Sequence, residues 1–425
     1  MYPIGFSSFH NPSLTHISCM HYLTQVALAP LGTQACTYDI EKFHRTCPVL
    51  PDHKPWLVVQ GKPGEFFIDH THPFGAACAS SNAGMIANAA VDIWTAEGIG
   101  PILKYEDDLT VFRTPTSDGL RSDGSLQYAY DRTDTLHVIA PLNIPWHPNK
   151  GMKVFASLLT FIGLLWDLDN RRVSLPENKR LKFLSRVNSF IAQFARGRCS
   201  LREVEKLHGS LCYISFVYPA GRSRLPSLSN FSTKFNGNEY IRLYPPPSLI
   251  TDLKWWSERL SEAGVFRQLS PRGPLLDMGI FVDASTSWGI GIVIDQRWIG
   301  FQLSPHWKIP GRDITWLETL AIEILFGIIA SLGINNRNLL IHSDNQGTIG
   351  AMAKGRSPNF HINLSVRRTY TILSSILVVP TIIYIPSAEN PADPISRGEL
   401  GHPSLRLQTP FMLPEELQPF FINAC

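Results

Sequence analysis

The chain carries no lysine or arginine before Lys42. A stretch without fixed positive charge cannot by itself hold a nucleoside triphosphate, and it lacks the basic start of a signal peptide. Cysteine is odd in number at seven and never spaced C-x-x-C, so neither a disulfide framework nor a zinc site is indicated, and a reducing compartment fits best. Apolar runs of membrane-spanning length are also missing: Glu323 interrupts the run around Ile322 to Ile329, and Pro380 interrupts the one after Leu373. There is no internal repeat and no protease, integrase or recombinase signature. These absences leave an intracellular globular protein, cytoplasmic or nuclear, with no membrane partner.

What is present can build sizeable cores. The chain has 425 residues, 44% of them hydrophobic, with ten tryptophans, which suits two or three domains. Its net charge of +3 hides an asymmetry, because residues 150–206 hold twelve Lys and Arg against five acids. Such a segment is either a solvated helix face or a grip for a polyanion.

Residues 35–175 mix short apolar strands with small-residue helices. Over 176–218 two helices are expected: Pro176 suits a first turn, and Phe183, Val187, Phe190 and Phe194 recur at helical spacing. Ser200 and Glu203 form an S-x-x-E capping pattern for the second, which stops before Pro219. Residues 219–274, with Pro245, Pro246 and Pro247, read as a linker holding one helix around Leu253 to Leu260. From Leu275 the order becomes strand, hairpin, strand, helix, strand, helix, strand, an α/β pattern. Residues 1–34 are expected to be residual fingers or a separate N-terminal segment, and 401–425 a C-terminal tail.

KYEDDLTVF, residues 104–112, sets Asp107 beside Asp108 in a tight strand–turn–strand. Adjacent carboxylates are costly unless a cation neutralises them. Magnesium takes oxygen ligands and leaves positions for substrate phosphates. Alone the pair is only a surface turn, but it has company. Asp39 follows a strand-like start in TYDIEKFHRTCPV; HPFGAACASSNAG is dense in small residues; LNIPWHPNKG carries Lys150; and FIGLLWDL spans 161–168.

In that order these motifs resemble the palm of reverse transcriptases, most closely those of gypsy-like and DIRS-like retrotransposons, over residues 35 to about 218. The resemblance implies Asp39, Asp107 and Asp108 as catalytic carboxylates, with Asp39 and Asp107 holding two Mg2+ or Mn2+ ions and Asp108 acting more as an electrostatic neighbour. It implies Phe43, His44, Pro73, Phe74, Gly75, Tyr105 and Lys150 at the nucleotide and template, and Phe161, Ile162, Gly163 and Leu164 as a primer grip. Residues 176–218 would be a helical thumb whose Lys179, Arg180, Lys182 and Arg186 meet the nucleic-acid backbone.

Farther on, GIFVDAS places Asp283 on a strand, WLETLA places Glu318 on a helix, LLIHSDNQG ends a strand at Asp344, and ENPADPISR offers Asp393. These four resemble the D-E-D-D set of the ribonuclease H fold, which implies two further metal ions and cleavage of RNA in RNA–DNA hybrids. Asp295, Asp313 and Glu323 are expected to be structural. His342 should point away from Asp344, since alternate strand residues face opposite sides.

The fold class implied is an α+β polymerase palm with a helical thumb, a connection over 219–274, and an α/β ribonuclease H-like domain over 275–400 with a mixed five-stranded sheet. The partners implied are an RNA template, a DNA primer, an RNA–DNA hybrid and deoxynucleoside triphosphates. Three departures stand out: no basic fingers precede Asp39, His44 stands where relatives place an aromatic five residues beyond the first Asp, and YIPSAENPAD lacks the histidine found before the last Asp in cellular members. Two function classes follow: a retroelement reverse transcriptase with ribonuclease H, or a repurposed fragment that binds nucleic acid without polymerising. Missing fingers favour the second for polymerisation only.

Overall fold

Residues 25–76, 78–120, 124–269 and 273–424 are described by the computed structural model. Most of the expected N-terminal segment, residues 1–24, therefore lies outside the described residues. The chain divides into two units, Met1–Pro176 with Arg267–Ser270, and Glu177–Phe266 with Pro271–Cys425.

In the first unit, β1 (Gln34–Asp39), β2 (Ile102–Tyr105) and β3 (Asp108–Arg113) form an antiparallel sheet in the order β1–β3–β2. Cys36 and Tyr38 alternate into the same core as Leu109 and Val111, as the two-residue strand period requires. Helix α1 (Ala79–Ala96) covers that core with Ala83, Ala87, Ala90 and Trp94, whose helical spacing puts a narrow small-residue stripe against the sheet. A second antiparallel sheet contains β4 (Leu158–Phe161), β5 (Leu164–Asp167) and β6 (Arg172–Ser174), with Phe266–Gln268 at its far edge.

The second unit opens with α2 (Glu177–Phe194) and α3 (Leu201–Ile214). The Ser200 backbone N–H and hydroxyl both donate to Glu203, at 2.7 and 2.8 Å, so the capping pattern sets the α3 start. The stretch read as a linker is more structured than expected. It holds a helix over Pro226–Thr233 as well as α4 (Pro247–Ser261), and both bury apolar faces.

Strands β7 (Leu275–Ala284), β8 (Gly289–Ile294), β9 (Arg297–Leu303), β10 (Asn338–Ser343), β11 (Val379–Tyr384) and β12 (Phe421–Ala424) form one mixed sheet. Its order is β11–β10–β7–β8–β9–β12, with β7–β10 and β10–β11 parallel and the other pairs antiparallel. Five strands were expected; the sixth comes from the segment read as a tail and covers the β9 edge.

Helix α5 (Ile314–Ser331) lies in the core of this unit, followed by α6 (Gln346–Lys354), α7 (Phe360–Ile376) and the one-turn α8 (Asp393–Ser396). By length and composition alone α5 could cross a bilayer, despite Glu323, but 72% of it is buried inside the protein. Glu323 is itself buried and neutralised by Arg368, with the Ser365 hydroxyl donating at 2.6 Å. Asp313 caps α5 by accepting from Trp316 N–H at 3.0 Å. Both acids are structural, as expected.

An ion triad joins the helical segment to α7. Buried Asp252 on α4 accepts from Arg224 at 3.1 Å and from Arg367 at 3.0 Å, while the Ser223 carbonyl accepts from Arg367 and Asn363. Asp252→Ala is expected to cost about 3 kcal/mol, because two partly buried guanidiniums are left facing each other without their anion. Chemical denaturation reads this directly. Asp252→Asn should cost less, and no loss in the alanine variant would show that the triad does not hold these helices to α7.

Candidate functional site

Two clusters of carboxylates emerge, one in each unit. In the first, antiparallel register sets Asp39, the last residue of β1, opposite Asp108, the first of β3. The β2–β3 turn between Tyr105 and Asp108 holds Glu106 at a φ of 52°, a left-handed conformation unusual for a residue with a side chain. The segment after Pro145 runs along the free edge of β1: His147 N–H donates to the Asp39 carbonyl at 2.8 Å and Met152 N–H to that of Thr37 at 2.9 Å. Gly151, at a φ of 71°, lies so close to β1 that a β-carbon would fall 2.8 Å from the Thr37 oxygen. That approach brings Lys150 to 3.2 Å from Asp39.

Asp39, Asp108, Lys150 and Gly151 line a cavity of about 220 Å3 with Thr37, Phe161, Ile162 and Gly163. The Ile162–Gly163 turn joins β4 to β5 with both residues at positive φ, 48° and 70°. A β-branched residue is strained there, so the hairpin tip facing the carboxylates is held in a conformation the chain would not choose alone. Leu164, also expected in the primer grip, is fully buried.

Burial, then the neighbouring Asp107 and Asp39 charges, pushes the Asp108 carboxyl up to about 6. Asp107 is also raised, chiefly by burial. Asp108, given the lesser part on sequence grounds, is thus the residue that shares the cavity with Asp39, and Asp107 is not among the lining residues. The three do not form a cluster with all ligand atoms within 4.8 Å of one another among the described residues.

His44 and Phe74, both expected at the nucleotide or template, do meet, edge to face at 4.7 Å between ring centres. His44 is buried and shares a hydrogen bond with the Ser80 hydroxyl at 3.0 Å, whereas Phe74 is 78% exposed. Phe43 is buried in the core of this unit. Pro73 is half-buried, and Gly75 and Tyr105 are exposed.

On α2 the expected backbone grip is reduced. Arg180 is buried, bonded to Glu177 at 2.6 Å and to the Leu260 carbonyl, so it secures α2 to α4 and is not available to a phosphate. Arg186 donates to Ser210; Lys182 is exposed and Lys179 half-buried.

In the second unit Asp283, Glu318 and Asp344 converge. Ligand atoms from all three lie within 4.8 Å of one another. Asp283 sits near the end of β7, Glu318 in the second turn of α5 and Asp344 just past β10, so two parallel strand ends and one helix aim them at one point. Asp283 and Glu318 are only 3% and 2% exposed. Burial, reinforced by the other acids, pushes Glu318 up to about 9 and Asp283 to about 7. Glu318 Oε1 accepts from Ala284 N–H at 3.1 Å, and its Oε2 is buried with no hydrogen-bond partner. Three converging carboxylates with an orphaned oxygen are a donor set that fits a hard divalent cation.

The supporting groups come from a segment whose role the sequence reading limited to one aspartate. Ser396 donates to Asp283, Ser387 to Asp344, and Asn390 to the Val282 carbonyl at 3.0 Å. Asp393 is not one of the converging three; Arg397 holds both of its oxygens, at 2.8 and 2.9 Å. His342 stacks on Phe281 at 4.5 Å and bonds to the Ile280 carbonyl, away from Asp344 as expected.

No known family profile matches the chain, and no curated protein matches it. Among solved structures it is similar to a foamy viral protease-reverse transcriptase dRH in complex with double-stranded DNA, with a TM-score of 0.43 and 14% identity over 86% of this chain. Another is a foamy viral protease-reverse transcriptase in complex with an RNA/DNA hybrid, with a TM-score of 0.44 and 13% identity over 93% of this chain. The chain spans 59% and 48% of the lengths of these two neighbours.

Proposed function

We propose that the chain is a retroelement enzyme of the gypsy-like or DIRS-like kind, an RNA-directed DNA polymerase joined to a ribonuclease H that cuts the RNA strand of RNA–DNA hybrids. The carrying observation is the convergence of Asp283, Glu318 and Asp344 with one buried oxygen unpaired. Residues 35–175 would be the palm, 176–218 the thumb, 219–274 the connection and 275–400 the ribonuclease H domain.

Asp283, Glu318 and Asp344 would hold Mg2+ or Mn2+, which when bound lowers the pKa of the attacking water and stabilises the leaving oxygen. The protein's own part is orientation. Ala284 N–H fixes one Glu318 oxygen, Ser396 fixes Asp283 and Ser387 fixes Asp344, so the carboxylates are placed before substrate arrives. In the palm, Asp39 and Asp107 would hold a separate pair of Mg2+ or Mn2+ ions for nucleotide transfer onto a DNA primer, with Asp108 beside Asp39 as their charged neighbour, and Lys150 supplies the positive charge that holds Asp39 in place meanwhile. Phe74 and His44 would meet the template and the incoming deoxynucleoside triphosphate.

The test is a labelled RNA–DNA hybrid incubated with the purified chain and magnesium. Cleavage of the RNA strand alone, lost on chelation and restored by manganese, is the expected result. A parallel primed RNA template with deoxynucleoside triphosphates reads the palm. Hybrid binding without cleavage or extension would leave a repurposed nucleic-acid binder in place of the enzyme.

A further inference from the structure

The geometry points to Arg397 as the positioning residue that keeps Asp393 out of the carboxylate cluster until a phosphodiester of the hybrid takes the guanidinium instead. The inference rests on the ribonuclease H reading and adds to it a substrate-dependent completion of the donor set. Three observations carry it.

The first is that the fourth acid is close to the cluster but turned aside. The Ser396 hydroxyl that donates to Asp283 also lies 2.9 Å from the Asp393 carbonyl, so the Asp393 backbone is one hydroxyl away from a converging carboxylate. Its side chain is nevertheless fully engaged in a two-pronged pair with Arg397.

The second concerns what can move. The α8 backbone is wedged on β8, where a β-carbon on Gly291 would fall 2.6 Å from Ser396 N. Ala392 and Ile395 are buried against Val293 and Trp298. The Arg397 side chain is 57% exposed and that of Asp393 24% exposed. A change of partner therefore needs only two side-chain rotations, with the backbone fixed.

The third is chemical. A phosphodiester presents two oxygens to a guanidinium fork just as a carboxylate does, so it competes for Arg397 on equal geometric terms. A pair whose guanidinium is this open to solvent is weak enough to exchange. Once released, Asp393 is a free carboxylate beside Asp283, and Arg397 becomes the contact to the backbone at the point of cleavage. The chain has no histidine in the loop before Asp393, so an exchangeable arginine supplies a cation at this edge of the site.

The experiment is a calorimetric Mn2+ titration of the full chain, with Asp39, Asp107 and Asp108 changed to Asn to silence the palm. It is run with and without a hybrid whose RNA carries 2′-O-methyl groups and cannot be cut. Arg397→Gln should bind Mn2+ about fivefold more tightly than the parent without hybrid, the factor an exposed ion pair accounts for. In the parent, that tighter binding should need the hybrid. Adding Asp393→Asn to Arg397→Gln should cancel the gain, and Arg397→Lys, which keeps the charge but not the fork, should fall between. Unchanged Mn2+ affinity in Arg397→Gln, or a gain that survives Asp393→Asn, overturns the proposal alone. Mn2+ binding indifferent to Asp344→Asn overturns the metal reading and this proposal with it.

Discussion

Gly291→Ala is expected to reduce hybrid cleavage by at least about 100-fold, the penalty that a misplacement of about 1 Å exacts on a pre-positioned site. Gly291 touches none of the acids in the cluster. It is the register partner of Asp283 on the neighbouring strand, so the two residues face the same side of the sheet. Because it has no side chain, α8 can lie directly on β8, with the Ala392 carbonyl and Ser396 N–H against the glycine α-carbon. A methyl group there forces the 390–397 turn away from the sheet. Ser396 would then leave Asp283, and Asn390 would leave the Val282 carbonyl.

The large core lies on the other face of the sheet, where Ile280, Val282, Ile290 and Ile292 pack under α5. The domain should therefore stay folded, at a cost of about 1–3 kcal/mol for the overpacked position. Hybrid-cleavage rates and a denaturation curve on the same preparation separate the two effects. Cleavage within a few-fold of the parent would show that the α8 turn does not position the site.

Much of the second site was legible because its acids sit where strand and helix periods are strong. Asp283 is the last residue but one of an apolar strand and Asp344 follows another, and their order with Glu318, which resembles a D-E-D-D set, singled them out where a lone Asp would have read as a cap. Gly291 did not, since a glycine in GIGIVI reads equally as a weak strand residue or a close approach, and only the α8 contact decides. Arg180 was misread for a different reason. Counting charge over 150–206 ignored helical phase, whereas Arg180 and Val187 lie seven residues apart on one face, and that face is the buried one.

The sixth strand, FINA, is only four residues long, and its pairing partner β9 lies more than a hundred residues away in sequence. The Asp252 triad was invisible because its anion and one of its cations, Arg367, are 115 residues apart. In the first unit, the motif order gave the residues but not their geometry: nothing in Y-x-D-D says which Asp stands opposite Asp39 across the sheet, and the antiparallel register puts Asp108 there.

Glu318→Gln should abolish hybrid cleavage while making the metal-free protein more stable. The two effects come from one cause. Glu318 is buried beside Asp283 and Asp344, its Oε2 has no partner, and burial with those two charges holds its carboxyl at about 9. Without a cation, that arrangement is a standing penalty on the fold, since a buried polar atom is unpaired and at neutral pH the carboxyl must take up a proton that it does not hold in the unfolded chain. Glutamine keeps the shape and the bond from Ala284 N–H to its side-chain oxygen, but removes the acid. Denaturation in chelator should therefore show Glu318→Gln above the parent.

Adding Mn2+ should reverse the ranking. A ligand that binds only the folded state stabilises it by about 2.7 kcal/mol at a hundred times its dissociation constant, and the parent gains this while the variant, short of one donor, gains little. The crossing of the two stability series on adding metal is what a purely structural glutamate cannot produce. A variant less stable than the parent in chelator would mean that Glu318 holds the fold together as an acid, and a variant that still cuts hybrids would remove it from the site.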